Sequence, residues 1–275
     1  MNTVKTINEN LFVEINDITI CYNDSGSDKH PIIFVHGFPF NKKTWHPQFG
    51  FFSQNNRVIT YDIRGFGKST SGTKEMSMSQ FADDLVDFMS HLEIEKAIVC
   101  GLSMGGYILL NAVNRYPEKF SALVLCDTQC IADSLETKEK RQQSISNIPE
   151  GGLADFTESF IKNIFLEETL KNEQEMVDKI RNTILATSVT SITTTLKALA
   201  DRDETCSMLQ NIKIPTLIIC GKEDKITPPL QAQFLKDGIA HSTLSIIEDA
   251  AHLSNLEKPD VFNKELANFI SKLRL

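Results

Sequence analysis

The chain has 275 residues, 41% of them hydrophobic and 23% charged, with a formal net charge of -8. These values are ordinary for a soluble globular protein and leave room for one large α/β domain or two small ones. The negative field repels nucleic acid and anionic membrane surfaces, so neither is expected as the main partner; a local Arg or Lys can still hold an anionic small molecule.

Residues 1–10 lack the apolar run and small-residue cleavage site of a signal peptide. No stretch reaches the roughly 20 apolar residues that span a bilayer. Residues 11–15 and 18–22 are strand-like and flank Asn16-Asp17, a hairpin signal. Three apolar runs without alternation follow, at 32–35, 57–61 and 96–100, as expected of strands buried on both faces of a parallel sheet. Between the last two, Phe81, Leu85, Phe88, Met89 and Leu92 form the stripe of a crossover helix. Further strands are predicted at 122–126, 216–220 and 242–247, and Phe262, Leu266, Phe269, Ile270 and Leu273 mark a terminal helix after Pro259. Alternating strands and helices predict an α/β fold.

The interval from Asp127 to Ile214 breaks this rhythm, at roughly 85 residues against the few of an ordinary connection. Its patterns are helical: Phe156, Phe160, Ile161, Ile164 and Phe165; then Met176, Val177, Ile180, Ile184 and Leu185; then Leu196 and Leu199, with a break at Pro149-Glu150-Gly151-Gly152. It is read as a helical cap over 131–206, inserted after the sixth strand into a core made of 1–130 and 207–275. The six cysteines are widely spaced, and Cys100, Cys126 and Cys220 each end an apolar run. They read as small buried hydrophobes rather than a disulfide framework or zinc site, and a reducing cytoplasm is the expected compartment.

Gly101-Leu102-Ser103-Met104-Gly105-Gly106 directly follows one predicted strand and opens a helix. A small-x-Ser-x-small run in that setting is a nucleophile elbow, whose turn is too tight for bulk two positions either side of the serine. A serine hydroxyl needs a base, and the base an orienting acid. With this elbow they follow in the order serine, acid, histidine, each after a strand. Asp224, within Gly221-Lys222-Glu223-Asp224-Lys225-Ile226-Thr227-Pro228-Pro229, and His252, within Glu248-Asp249-Ala250-Ala251-His252-Leu253, occupy those places. Asp127, ending the sixth strand, competes with Asp224 for the acid. His30, His46, His91 and His241 fall in turns or on helix surfaces.

An oxyanion hole needs an N–H from the residue after the nucleophile and one from an earlier strand-end loop. Met104 supplies the first and Phe38, in His36-Gly37-Phe38-Pro39, the second, with His36 bracing the loop. Phe38, Trp45 and cap aromatics are the expected apolar walls of the substrate pocket. Gly65-Phe66-Gly67-Lys68-Ser69 imitates a phosphate loop, but Asp62 stands where the first glycine is required, so Asp62 and Arg64 are read as bracing a turn. No metal-ligand spacing occurs, and neither metal nor cofactor is expected.

Together, the 36–39, 62–69, 101–106, 221–229 and 251–252 segments resemble the α/β-hydrolase superfamily, in its order and over most of the chain. Within it the chain looks most like small bacterial carboxylesterases and 3-oxoadipate enol-lactonases, through its elbow and its four-helix-sized cap opening with Asp127-Thr128. The resemblance implies a mostly parallel eight-stranded sheet flanked by helices, and a serine-dependent hydrolase of carboxylic esters or lactones working through an acyl-enzyme. C–C bond hydrolases and cofactor-free haloperoxidases share the same triad, and a ligand receptor on this scaffold would show a burst and then stall. The serine separates the chain from haloalkane dehalogenases and epoxide hydrolases, which carry aspartate there. Lys138 and Arg141 are candidates for an anionic substrate group by charge alone. The substrate is a small ester or lactone whose acyl group the variable cap selects; the sequence does not set the oligomeric state.

Overall fold

The computed structural model describes residues 8–274; the first seven positions of the segment read as lacking a signal peptide lie outside them. One sheet is built from β1 (Asn8–Ile15), β2 (Ile18–Asp24), β3 (Pro31–Val35), β4 (Arg57–Tyr61), β5 (Ala97–Leu102), β6 (Phe120–Cys126), β7 (Thr216–Gly221) and β8 (Ser242–Ile247), in the order β1-β2-β4-β3-β5-β6-β7-β8. β1 and β2 form the antiparallel hairpin, with Asn16 in the left-handed region that asparagine tolerates. β2 is also antiparallel to β4, and the strands from β4 to β8 across the sheet are parallel.

Unbroken apolar runs make sense because both faces are covered. Ile33, Val35, Val99, Leu123 and Leu125 lie on the side covered by α2 (Met78–His91), α3 (Met104–Arg115) and α9 (Pro229–Gly238). Their neighbours in sequence, Ile32, Phe34, Cys100 and Val124, point the other way, toward α1 (His46–Phe52) and α11 (Pro259–Ile270). Each fully buried Ile or Leu contributes about 1.5–3 kcal/mol. The chain passes from β3 to β4 on one side, then back through α2 to β5 on the other. The reversal leaves a crevice at the carboxyl ends of the strands, where ligands bind in such sheets.

Between β6 and β7 lie five helices: α4 (Leu135–Asn147), α5 (Leu153–Ile164), α6 (Glu167–Asn172), α7 (Gln174–Leu185) and α8 (Val189–Ala200). The sequence pattern exposes α5, α7 and α8 through their apolar stripes but not α4, which buries no residue of its own. Local chemistry holds α4 instead: Ser134 caps it by accepting from Thr137 N–H, and Glu136 pairs with Lys140 one turn on.

Cys130 and Cys206 correct the reading of the cysteines as small buried hydrophobes outside any disulfide: they form a disulfide across 76 residues of sequence, with Cα atoms 4.9 Å apart. Folding brings them together because one stands where the chain leaves the core and the other where it returns. Such bridges are commonest in proteins of oxidising compartments. Cys21, Cys100, Cys126 and Cys220 are buried free thiols. Among the described residues, no helix is long and apolar enough to cross a membrane.

Candidate active site

β5 ends at Leu102 and α3 begins at Met104, so Ser103 alone makes the turn, at φ 52° and ψ -114°. A non-glycine residue in that region is strained and persists only where its surroundings fix it. Ser103 N–H donates to Cys126 O (2.9 Å), while its carbonyl accepts from Gly106 N–H (2.8 Å) and Thr128 Oγ1 (2.8 Å). The flanking glycines are steric requirements. A Cβ on Gly101 would lie 2.6 Å from the Gly105 carbonyl carbon, and one on Gly105 would lie 2.4 Å from Val35 O.

Three strand ends converge on this serine. Ser103 Oγ donates to His252 Nε2 (2.9 Å), and His252 Nδ1 donates to Asp224 Oδ2 (2.8 Å). His252 is 1% exposed and Ser103 8%. Burial by itself would lower the His252 pKa, but the Asp224 charge and hydrogen bond outweigh it and raise it above the ordinary value. For Asp224 the opposition is reversed: burial pushes its carboxyl up, while His252 and the Thr227 donors hold it below the usual range. The arrangement can draw the hydroxyl proton from Ser103 and stabilise the imidazolium that results.

Asp127 does not reach the histidine. Gly221 N–H donates to its Oδ1 (2.8 Å) and Ser254 Oγ to its Oδ2 (2.6 Å), so it takes no part in the Ser103–His252–Asp224 chain. Asp127, Cys220 and Asp224 each place one potential ligand atom within 4.8 Å of the others. They do not make a convincing metal cradle, because Asp224 is already saturated. Its Oδ1 accepts from Ile226 and Thr227 N–H, and its Oδ2 from Thr227 Oγ1 and His252.

The loop after β3 approaches from the opposite side. His36 Nδ1 donates to Gly37 O (2.8 Å) and its Nε2 accepts from Ile63 N–H (3.0 Å), tying this loop to the one after β4. Burial drives the His36 pKa down to about 4, so this imidazole is neutral. Asp62 accepts from Lys42 N–H, Lys42 Nζ and Lys68 N–H, and buried Arg64 binds Asp84 and Asp17. Neither Phe38 N–H nor Met104 N–H has an acceptor among the described residues.

The Phe38 ring lies 6.3 Å from Phe156 and 6.2 Å from Phe160, both on α5, so the cap meets the core at this loop. Trp45 is elsewhere. It is fully buried against Phe34 and Phe262 on the α1–α11 side of the sheet, because the single helical turn Lys42–Trp45 directs it into that core. Its expected place in the pocket wall is not where the fold puts it. Arg141 is engaged by Asp133 through Nε (2.5 Å), and buried Arg202 shares the same carboxylate.

Two supporting residues escape sequence reasoning. Thr227 Oγ1 donates to Asp224 Oδ2 (2.7 Å) and lies 3.4 Å from His252 Nδ1. Glu257, on the short helix α10 (Ser254–Glu257), accepts from Ala251 N–H beside the histidine and from Leu166 N–H and Thr169 Oγ1 in the cap. Thr227 carries a signal, since it stands three residues after an aspartate in a turn. Glu257 carries none, because its partners in the insertion lie roughly 90 positions away.

A family model described as the alpha/beta hydrolase fold matches residues 30–259. The 3-oxoadipate enol-lactonase 2 of Acinetobacter baylyi is 30% identical over 248 residues, covering 90% of this chain and 91% of the relative. Enol-lactonase 1 of the same organism is 27% identical and covers 93% of this chain and 94% of its own. A thermophilic esterase from Thermogutta terrifontis superposes with a TM-score of 0.90 at 31% identity, over 94% of this chain and 95% of its own. With this match and the elbow at the crevice of its sheet, the chain belongs to the α/β hydrolase fold family.

Proposed function

We propose that the protein is a serine-dependent hydrolase of small carboxylic esters or lactones, with Ser103 as nucleophile, His252 as general base and Asp224 as the orienting acid. The observation that carries this reading is the continuous chain from Ser103 Oγ through His252 to Asp224, at 2.9 and 2.8 Å, anchored on a strained elbow. Ser103 Oγ attacks the carbonyl as His252 Nε2 takes its proton. The imidazolium is stabilised by Asp224 and returns that proton to the leaving alkoxide. Water activated by the same nitrogen then releases the acyl group. The N–H groups of Phe38 and Met104 hold the oxyanion, a role supported by their lack of other acceptors. Relatives named enol-lactonase and esterase support carboxylic ester chemistry.

The test is labelling with a fluorophosphonate, followed by hydrolysis of an acyl-chain and lactone series. Ser103 is expected to carry the label, and Ser103→Ala to lose about 10,000-fold or more in kcat/KM. Label on another residue, or near wild-type hydrolysis by Ser103→Ala, would overturn the reading. Continued turnover after the first equivalent separates an enzyme from a receptor that stalls.

A further inference from the structure

Behind the catalytic aspartate stands a second carboxyl that the reaction as described does not use. Asp127 is fully buried at the tip of β6, with φ 44° and its own N–H bound to Ile219 O (2.9 Å). Its oxygens meet only two neutral donors, Gly221 N–H and Ser254 Oγ. One of its oxygens lies within 4.8 Å of an Asp224 oxygen and of Cys220 Sγ. Gly221 joins the two acids directly, because its N–H donates to Asp127 while its carbonyl accepts from Asp224 N–H (3.2 Å).

The charged and titratable groups facing Asp127 come from every element around it. They are Asp224 after β7, Cys220 within β7, Cys126 preceding it on β6, and His252 after β8. Cys100 on β5 lies beyond Cys126, at 3.5 Å between the sulfurs, and Glu257 adds its field at His252. Among the described residues, no lysine or arginine hydrogen-bonds to Asp127 or forms an ion pair with it. Two carboxylates this close in a dry interior do not both ionise at neutral pH, and Asp224 is the one committed to the histidine.

We propose that Asp127 is a positioning residue that holds a proton in the resting enzyme and, on losing it at alkaline pH, strengthens His252 as a base. Ser254 suits both states, since its hydroxyl can accept from the carboxylic acid or donate to the carboxylate. Burial, followed by the Asp224 charge, pushes the Asp127 carboxyl up to about 8. Once ionised, Asp127 adds a negative charge beside the Asp224–His252 pair and favours the imidazolium of the transition state. The titrations of the two acids are linked and belong to the pair. The effect on rate rests on the triad as proposed; the proton on Asp127 does not.

Infrared difference spectroscopy of the whole protein against Asp127→Asn tests the proton directly. A protonated-carboxyl C=O band is expected in the wild type at pH 6, gone at pH 9.5, and absent from the variant throughout. If wild type and variant are indistinguishable at pH 6, the proposal is overturned, whatever the activity. For the rate, the ratio of kcat/KM at pH 9 to that at pH 7 is expected to be about fivefold larger in the wild type than in Asp127→Asn. Equal ratios would remove the link to His252. Should Asp127→Asn fail to fold, Ser254→Ala serves instead: losing a donor to the carboxylate should move the band's disappearance to higher pH, and an unmoved transition would count against Asp127.

Discussion

The proposed chemistry at the residue scale turns on a proton shared between His252 and its surroundings. As a base, His252 must be neutral, and its pKa is raised above the ordinary histidine value despite burial. The acid limb of kcat/KM is therefore expected above pH 6.5, the ordinary value. The same shift makes the charged ring favourable in the folded state. Its contribution to stability is complete below the unfolded pKa and disappears as pH rises through the folded one. Asp224→Asn should move the acid limb downward and lower kcat by about 10,000-fold, since the amide neither stabilises the imidazolium nor enforces the tautomer. Thr227→Val removes one donor from Asp224 Oδ2 and leaves the triad atoms in place; about a tenfold loss in kcat is expected. A pH–rate series on both variants checks this, and an unmoved acid limb in Asp224→Asn would exclude Asp224 as the partner. That Ser103, Asp224 and His252 come together can be read from sequence because each follows an apolar run. The choice of Asp224 over Asp127 cannot, because it depends on which way each loop turns its carboxylate.

Among the elements, the helical insertion is the proposed selector of the acyl group, and legibility differs helix by helix. α5 announces itself through Phe156, Phe160, Ile161 and Ile164, whereas α4 has no apolar stripe to read. Trp45 misleads for a related reason: a large aromatic near a strand-end loop suits a pocket or a core equally, and one helical turn decides between them. Phe156 and Phe160 stack at 5.8 Å and meet Phe38, and Phe160 also lies 6.1 Å from Phe40. This aromatic group fills the space above the loop that carries the Phe38 N–H. Phe160→Ala should open that space and shift selectivity toward longer acyl chains. The ratio of kcat/KM for an octanoyl over a butanoyl ester is expected to rise about fivefold, the equivalent of roughly 1 kcal/mol or one further methylene admitted. A ratio unchanged by the substitution would place the acyl group elsewhere.

For the whole molecule, the question is how a cap of five helices stays registered on a sheet it does not belong to. Two attachments are polar and lie beside the site. His252 N–H donates to Ile164 O (3.1 Å), and Glu257 joins the histidine loop to Leu166 and Thr169. The third is covalent: Cys130–Cys206 closes a loop that contains the entire insertion. The spacing of these cysteines gave no hint of it, since two residues 76 apart become neighbours only when the insertion leaves and re-enters the core at one place. Closing a loop of that length removes unfolded-chain entropy worth about 4.5 kcal/mol, of which a bridge typically returns about 2–4 kcal/mol as stability. Cys130→Ser combined with Cys206→Ser should therefore be less stable than the oxidised wild type by that amount in urea unfolding. The reduced wild type should match the double variant, because the bridge and not the side chains supplies the difference. If all three forms unfold at the same urea concentration, the insertion is held by its polar and aromatic contacts alone.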